Sequence, residues 1–427
     1  MFFTLFKKEC NQLLRSITYY IYIACLVFFY FGNIGELTVS APSPNEDFYD
    51  YRYIEEEEVI MSMALTDLAY EYDKNSFGTY PIGFYKEVIL DEAERGKLAD
   101  ILEKTTGLPI DNILEMLYKS WEIYNIDEES YNIDAESNAD QIVVEEPFEL
   151  FPVTNLTYET FLIYMDEVDD ILGGGSSYAA AKVHKMAKIP LTYEEVLLDY
   201  ETVIEEDKIS NAYARLFCDY VGIVLGILPV FLAVTRCLRD KRSKASEVIF
   251  AKKVSSSMII LPRYVATVLM AILPVFILAI SPVLQCLYYG ESIGAKVDGL
   301  AFITHIIGWL LPTILFSVGI GFVFTELTNS PLALLVQGVW WIVSIFMPMS
   351  YGLVGYVGWS LIPRFNTVGS REIFVKVFHQ LVMNRLGYTF IAAILVAATI
   401  FIYHIKRRGK LQLYGKIIRR SKSKSEV

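Results

Sequence analysis

Apolar residues gather along this chain into six stretches free of Asp, Glu, Lys and Arg: 16–35, 220–235, 264–290, 299–325, 327–363 and 386–405. A hydrocarbon layer of ~30 Å takes roughly 20 residues at ~1.5 Å per residue. Backbone in lipid must satisfy its own hydrogen bonds, so these stretches predict six transmembrane helices. Between the first two, the pattern becomes amphipathic. Asp91–Thr106 places Leu98, Ile101 and Leu102 inward and stops at Gly107 and Pro109; a second helix follows over Ile110–Tyr124 through Ile113, Leu114 and Leu117. Thr157–Leu172 opens on a Thr cap with Glu159 in its first turn and stops at Gly173–Gly175. Thr192–Asp207 is expected to run on towards the second span, and short extended pieces are expected around Gln141–Val144. The predicted fold is an α-helical polytopic membrane protein, six spans plus a mostly helical (α or α+β) domain inserted between spans one and two.

The boundaries that follow are 1–15 for an amphipathic helix, 16–35 for the first span, 36–211 for the inserted domain and 212–235 for the second span. A connecting loop covers 236–263, spans three to five 264–349, interfacial or re-entrant helices 350–385, the sixth span 386–405 and a basic tail 406–427.

Charge sharpens this division. Residues 36–210 hold 41 Asp and Glu against 11 Lys and Arg, a net of −30; the remainder holds 9 acids and 26 bases, a net of +17. The positive-inside rule puts the N-terminal Lys7, Lys8 and Arg15, the loop from Arg236 to Arg263 and the basic tail in the cytoplasm, with both termini inside. The −30 domain is then extracellular. The first span has no small-residue cleavage site and reads as an uncleaved signal-anchor. The five cysteines, Cys10, Cys25, Cys218, Cys237 and Cys286, all lie outside the acidic domain. That domain holds together by burial without disulfides, as on a bacterial plasma membrane.

Catalytic chemistry is missing. No Gly-x-x-x-x-Gly-Lys-Ser/Thr phosphate loop occurs, and Gly173–Ser177 lacks the lysine. His184, His305, His379 and His404 have no partner spaced for zinc or for a triad. Glu55–Glu58 on a helix point around the cylinder instead of converging on a metal, and read as a solvated face. No nucleic-acid motif, metal site or catalytic residue is expected, and the chain is not expected to be an enzyme. Acids at mid-membrane, which ion-coupled carriers use, are absent from the runs; any pumping must draw energy from another chain. Asp219, His305, Trp340 and Trp341 remain as candidates for a gate or path.

Two segments on the basic side offer themselves to partners. Met1–Arg15 gathers Phe2, Phe3, Leu5, Phe6, Cys10, Leu13 and Leu14 on one face and Lys7, Lys8, Asn11, Gln12 and Arg15 on the other, an interfacial helix. In the loop after the second span, Ser246 is placed to cap a short helix carrying Glu247, Val248, Ile249, Phe250 and Lys252, a compact apolar knob between charges.

Arg242, Glu247, Val248, Ile249, Val254, Ser255, Ser256 and Arg263 resemble the loop ahead of the third span in the membrane subunits of bacterial type-2 ABC exporters. Met1–Arg15 is similar to that family's elbow helix (Phe3, Phe6, Lys7, Lys8), and Val354–Arg385, with Trp359, Pro363, Arg364 and the run Ile373–Leu381, to its paired short helices between spans five and six. The large domain in the first loop is shared by only a subset of such permeases; four-span mechanotransmitting permeases rank second. The resemblance implies a permease that pairs with a second one, identical or homologous, above two copies of a cytoplasmic ABC ATPase. The ATPase would use ATP and Mg; this chain would bind no cofactor. Ser246–Lys252 would be the coupling helix, and the cargo an amphipathic peptide, toxin, drug or lipid. The alternative is a membrane sensor whose acidic domain binds a ligand. It lacks an output module in the short tail.

Overall fold

The computed structural model describes the whole chain except residues 38–39, 45, 47, 82–84, 131–147, 352–354, 356, 366–367, 370 and 409–427; side chains of 121–130, 246–247 and 347–351 are likewise outside the description. The pieces expected around Gln141–Val144 and the tail beyond Arg408 lie outside the described residues. The chain divides into two compact units, Met1–Pro42 with Glu194–Val427, and Ser43–Tyr193. Both are mostly helical.

The first unit opens with α1 (Phe2–Leu14) and α2 (Ile17–Asn33), bent by 68° at Arg15–Ser16. In the second unit, α3 (Glu57–Lys74) sets its apolar faces against α4 (Glu92–Thr106), α5 (Ile110–Ser130) and α6 (Tyr158–Ile171). Leu65, Leu68, Leu98, Leu102, Ile113 and Phe161 close that core. Local chemistry sets the helix ends. The Asp91 carboxylate accepts from the backbone of Ala93 and Glu94 while Glu94 accepts from Asp91 N, a reciprocal cap. Thr157 caps α6 through Thr160 N. Strands β1 (Tyr51–Tyr53) and β4 (Lys188–Pro190) pair antiparallel with Arg52 opposite Ile189; β2 (Phe77–Thr79) and β3 (Lys86–Val88) pair with Gly78 opposite Glu87.

The chain returns to the first unit through α7 (Tyr193–Glu205), which does not run on into the membrane. Lys208 and Ile209 sit at φ +50 and +58, so the axis breaks before α8 (Ser210–Leu225). Then follow α9 (Leu228–Arg242), α10 (Ser246–Ala251), α11 (Ser256–Ile293), α12 (Ala301–His305), a π-helical turn over Ile306–Leu310, α13 (Leu311–Thr328), α14 (Leu332–Tyr351) and α15 (Arg371–Arg407).

Among the described residues, four helical segments are long and apolar enough to cross a membrane: Ser210–Arg242, Ser256–Ile293, Ala301–Thr328 and Arg371–Arg407. The bent pair α1–α2, taken as one, makes a fifth; the apolar stretch Leu332–Phe346 of α14 is shorter. This is the composition of a membrane protein.

Two stretches differ in detail from expectation. The expected second span lies within Ser210–Arg242, long and apolar enough to cross a membrane, but is built of two helices that break at Gly226–Ile227. The break survives because neighbours supply the missing donors: Gln337 Nε2 (2.5 Å) and Ser317 Oγ (3.2 Å) donate to Gly226 O. Glycine fits closely there: a Cβ would lie 2.7 Å from Ile362 and 2.9 Å from Trp341, so a larger residue would have to displace those side chains. The second difference concerns 350–385. Ile373–Leu381 forms the first turns of the single 37-residue helix α15, and the described residues before it, Val357–Phe365, are not helical. Val357, Ser360, Leu361, Ile362 and Phe365 are buried nonetheless. Polar side chains from the surrounding helices take up backbone hydrogen bonds of this stretch, Ser344 Oγ accepting from Leu361 N and Arg385 donating to Leu361 O.

Candidate functional site: a charge-locked short helix at the basic end

The end of the first unit where α1, α9, α10 and the last turns of α13 and α15 meet is rich in cations, yet its buried charges balance. Helical spacing sets Arg236 and Asp240 one turn apart on α9. Arg263, in the second turn of α11, faces them, and Glu9 enters from α1. Glu9 accepts from Arg236 through both Nε and Nη2, the latter at 2.6 Å. Arg236 Nη1 reaches Asp240 Oδ1 at 3.1 Å; Arg263 Nη2 reaches Asp240 Oδ2 at 2.6 Å, and its Nε stands 3.5 Å from Glu9. Two acids and two bases thus cancel. The site is nearly dry, with Arg236 only 4% exposed. A quartet of this kind fixes geometry more than it adds stability, but removing one member strands a buried charge at a cost of about 3–5 kcal/mol.

Six residues are too few for a helix to persist alone in water, so α10 must be held. Ile249 and Phe250 turn half-buried faces to the core, and Phe250 meets Tyr403 of α15 edge-on at 5.4 Å. The Arg407 guanidinium donates to the carbonyls of Phe250 (3.2 Å), Lys252 (2.7 Å) and Val254. A cation thereby satisfies the orphan acceptors of a helix C-terminus. One residue earlier, Lys406 Nζ binds Glu326 Oε2 (3.2 Å) and Asn329 Oδ1 (2.9 Å) at the end of α13. The side of α10 away from these contacts carries Val248, 64% exposed, followed by exposed Lys252 and Lys253. Among the described residues the arrangement pairs no nucleophile with a base, and no group of three His, Cys, Asp or Glu is placed to hold a metal. What it presents is an exposed apolar tip on a mount tied to α15.

The expected short helix is therefore present, with one difference. Ala245 stands at its N-cap position without a side-chain bond, and Ser246 is its first helical residue. The side chains of Ser246 and Glu247 lie outside the described residues. On α1, Phe3 is exposed and Phe6 half-buried and stacked on Phe2, while Lys7 and Lys8 are exposed. Glu9 ties α1 to the site.

Asp219, His305, Trp340 and Trp341 lie toward the opposite end and are not one cluster. Asp219 is buried and accepts from Arg364 Nε and Phe365 N, both at 3.3 Å. Trp340 Nε1 donates to Tyr388 Oη at 3.3 Å, and Tyr388 donates to Trp359 O at 2.6 Å. Trp341 Nε1 donates to Ile223 O at 2.7 Å. Asp219 and Trp340 thus both serve the buried segment Val357–Phe365. His305 stands apart, its Nδ1 on Ala301 O and its ring beside Phe374, in an apolar groove of about 440 Å³ between the π-helical turn and α15.

Sequence reasoning missed the residue that organises this end, Arg385. It is 5% exposed and spends its donors on Thr313 Oγ1 (2.9 Å), Ser360 O (3.0 Å), the carbonyls of Trp309 and Leu361 (3.3 Å each) and Asn384 Oδ1. No ion pair to it occurs among the described residues. The available signal was its position as the charge abutting the N-terminal end of the last apolar run. Glu9, the lone acid of the basic N-terminal segment, and Asp240, one of two acids in the basic loop 236–263, gave a similar one.

Comparison with known protein families, characterised proteins and solved structures returns no match.

Proposed function

We propose that this chain is the membrane-spanning permease subunit of an ATP-binding cassette exporter that moves an amphipathic cargo out of a bacterial cell. The observation that carries the reading is the mounting of α10: a short helix with an exposed Val248, fastened through Arg407 to α15 and lying beside the Glu9–Arg236–Asp240–Arg263 quartet. Such a part transmits force. Pressed by a partner, it would carry the displacement into helices that cross the membrane, because packed interfaces switch between discrete arrangements and do not yield gradually.

In this reading the basic end faces the cytoplasm. The four long helical segments, the bent pair and α14 make six spans, and the acidic unit Ser43–Tyr193 is extracellular. ATP and Mg belong to two ATPase subunits that receive α10, and a second permease, identical or homologous, completes the path. Expression with the neighbouring genes, gentle solubilisation and mass spectrometry of what co-purifies tests this. A stoichiometric ATPase that is lost from the Val248→Asp chain is expected. A chain that purifies alone from several mild detergents overturns the reading in favour of a sensor.

A further inference from the structure

Beside the buried quartet lies a second basic feature with the opposite property: its charges are not cancelled. A cavity of about 300 Å³ opens where the last turn of α1, the first turn of α2 and the last turns of α9 converge. Its polar lining includes Gln12, Arg15, Ser16, Thr235, Arg239 and Arg242, and no acid lines it. Arg236, at its wall, is committed to Glu9 and Asp240. Arg15, Arg239 and Arg242 have no carboxylate partner among the described residues. Three guanidinium groups around hydroxyl and amide donors make a site for a compact polyoxyanion, since the guanidinium fork matches phosphate oxygens two at a time.

The neighbourhood selects which phosphate. Immediately beside the cavity, Leu14 is 45% exposed, and Ile17 and Ile21 on α2 are 76% and 56% exposed. In a helix apolar enough to count toward a span, these residues face acyl chains. The ligand that meets both surfaces at once carries a phosphate and hydrocarbon tails.

We propose that this cavity binds the phosphate headgroup of an anionic phospholipid from the leaflet at the basic end, with its chains along Leu14, Ile17 and Ile21. The bound lipid bridges α2 to α9 across the 68° bend and so braces the angle that places Glu9 against Arg236. The inference does not depend on the transport reading, since a lipid clamp at this bend would serve any membrane protein of this fold.

The test is lipid retention by the purified full chain in mild detergent, read by native mass spectrometry after adding phosphatidylglycerol or phosphatidylcholine. The wild-type chain is expected to keep phosphatidylglycerol in preference. The triple variant Arg15→Gln, Arg239→Gln, Arg242→Gln is expected to lose affinity roughly fivefold per arginine, about a hundredfold together. Removing three exposed charges elsewhere on the same end, Lys244→Gln, Lys253→Gln and Arg408→Gln, should leave retention within about threefold, a residual effect of screened surface charge. Equal losses in the two triple variants would reduce the effect to general surface charge and overturn the site, as would equal retention of the two lipids. Inorganic phosphate separates the sources: if millimolar phosphate displaces the lipid from the wild-type chain, the site serves a soluble phosphate and the lipid assignment fails. Should the triple variant not fold, the three single variants carry the test, and no loss in any of them overturns it.

Discussion

Arg236 and Arg385 are both buried arginines in the first unit, at opposite ends, and they are accommodated in opposite ways. Arg236 meets carboxylates: Glu9 grips it from a helix 227 positions away, and Asp240 from its own. Arg385 meets carbonyls, a hydroxyl and an amide. The first solution cancels charge between segments and fixes how α1, α9 and α11 sit on one another. The second uses a guanidinium in place of water, satisfying backbone that has no helix of its own to satisfy it. A buried arginine therefore says little until its acceptors are known. With carboxylates it is a lock between helices; with carbonyls it is the support of an irregular segment.

The largest expected effect comes from removing the unpaired one. Arg385→Met leaves acceptors of Ser360, Leu361 and Trp309 without a donor, and should cost about 3–5 kcal/mol in detergent unfolding, with Arg385→Lys recovering only part. If Met were tolerated within about 1 kcal/mol, the segment would not depend on Arg385. Next, Glu9→Gln should cost about 3 kcal/mol, the lower end of the range for a member of the quartet, because Asp240 still faces the two buried cations. A double-mutant cycle with Arg236→Met should return a coupling above about 1 kcal/mol. No cycle pairing Arg385 with an acid should exceed about 0.5 kcal/mol; a larger value would erase the contrast.

Arg407→Gln is expected to act locally: amide exchange in α10 should speed up at least tenfold, the loss of roughly 1.4 kcal/mol in its opening, while global unfolding moves less. The smallest effect belongs to a half-buried acid of the second unit. Glu71 accepts from Tyr178 Oη at 2.7 Å, but burial outweighs that bond and pushes its carboxyl above the usual range. A folded pKa raised in this way makes the contribution fully present below the ordinary value of 4.5 and lost as pH rises through the raised one. Stability of this unit, followed by tyrosine fluorescence in the full chain, should fall over that window. Glu71→Gln should flatten the fall; an unchanged pH profile would show that Glu71 is not its source.

What could be read from sequence was what local chemistry decides. The amphipathic pattern opening at Asp91 marked the start of α4, Gly107 its end, Thr157 the start of α6, and the charge-free runs the apolar helices. The chain alone hid what depends on distant partners. A helix can break at Gly226 only because Ser317 and Gln337, about 90 and 111 positions on, complete its backbone. Nothing in the Ile373–Leu381 pattern says whether it continues into the next apolar run, and the continuous helix α15 shows that it does. Helix α3 was passed over because its opening glutamates read only as a solvated face, although Ile60, Leu65 and Leu68 behind them supply the core of the second unit. For the candidate site, the apolar residues of α10 were legible; Arg407, which holds it, and Glu9, which ties α1 to the quartet beside it, were not, because each acts on a segment more than 150 positions away.

The central claim, that α10 is a lever worked by a separate ATPase, is tested most directly by contact in the living cell. A photoreactive amino acid installed at Val248, irradiated in cells expressing the chain with its neighbouring genes, should crosslink to a single protein whose sequence carries a nucleotide-binding phosphate loop. The same probe at exposed Phe390 on α15 should not. Crosslinks from position 248 to lipid alone, in a chain that remains folded in the membrane, would contradict the account.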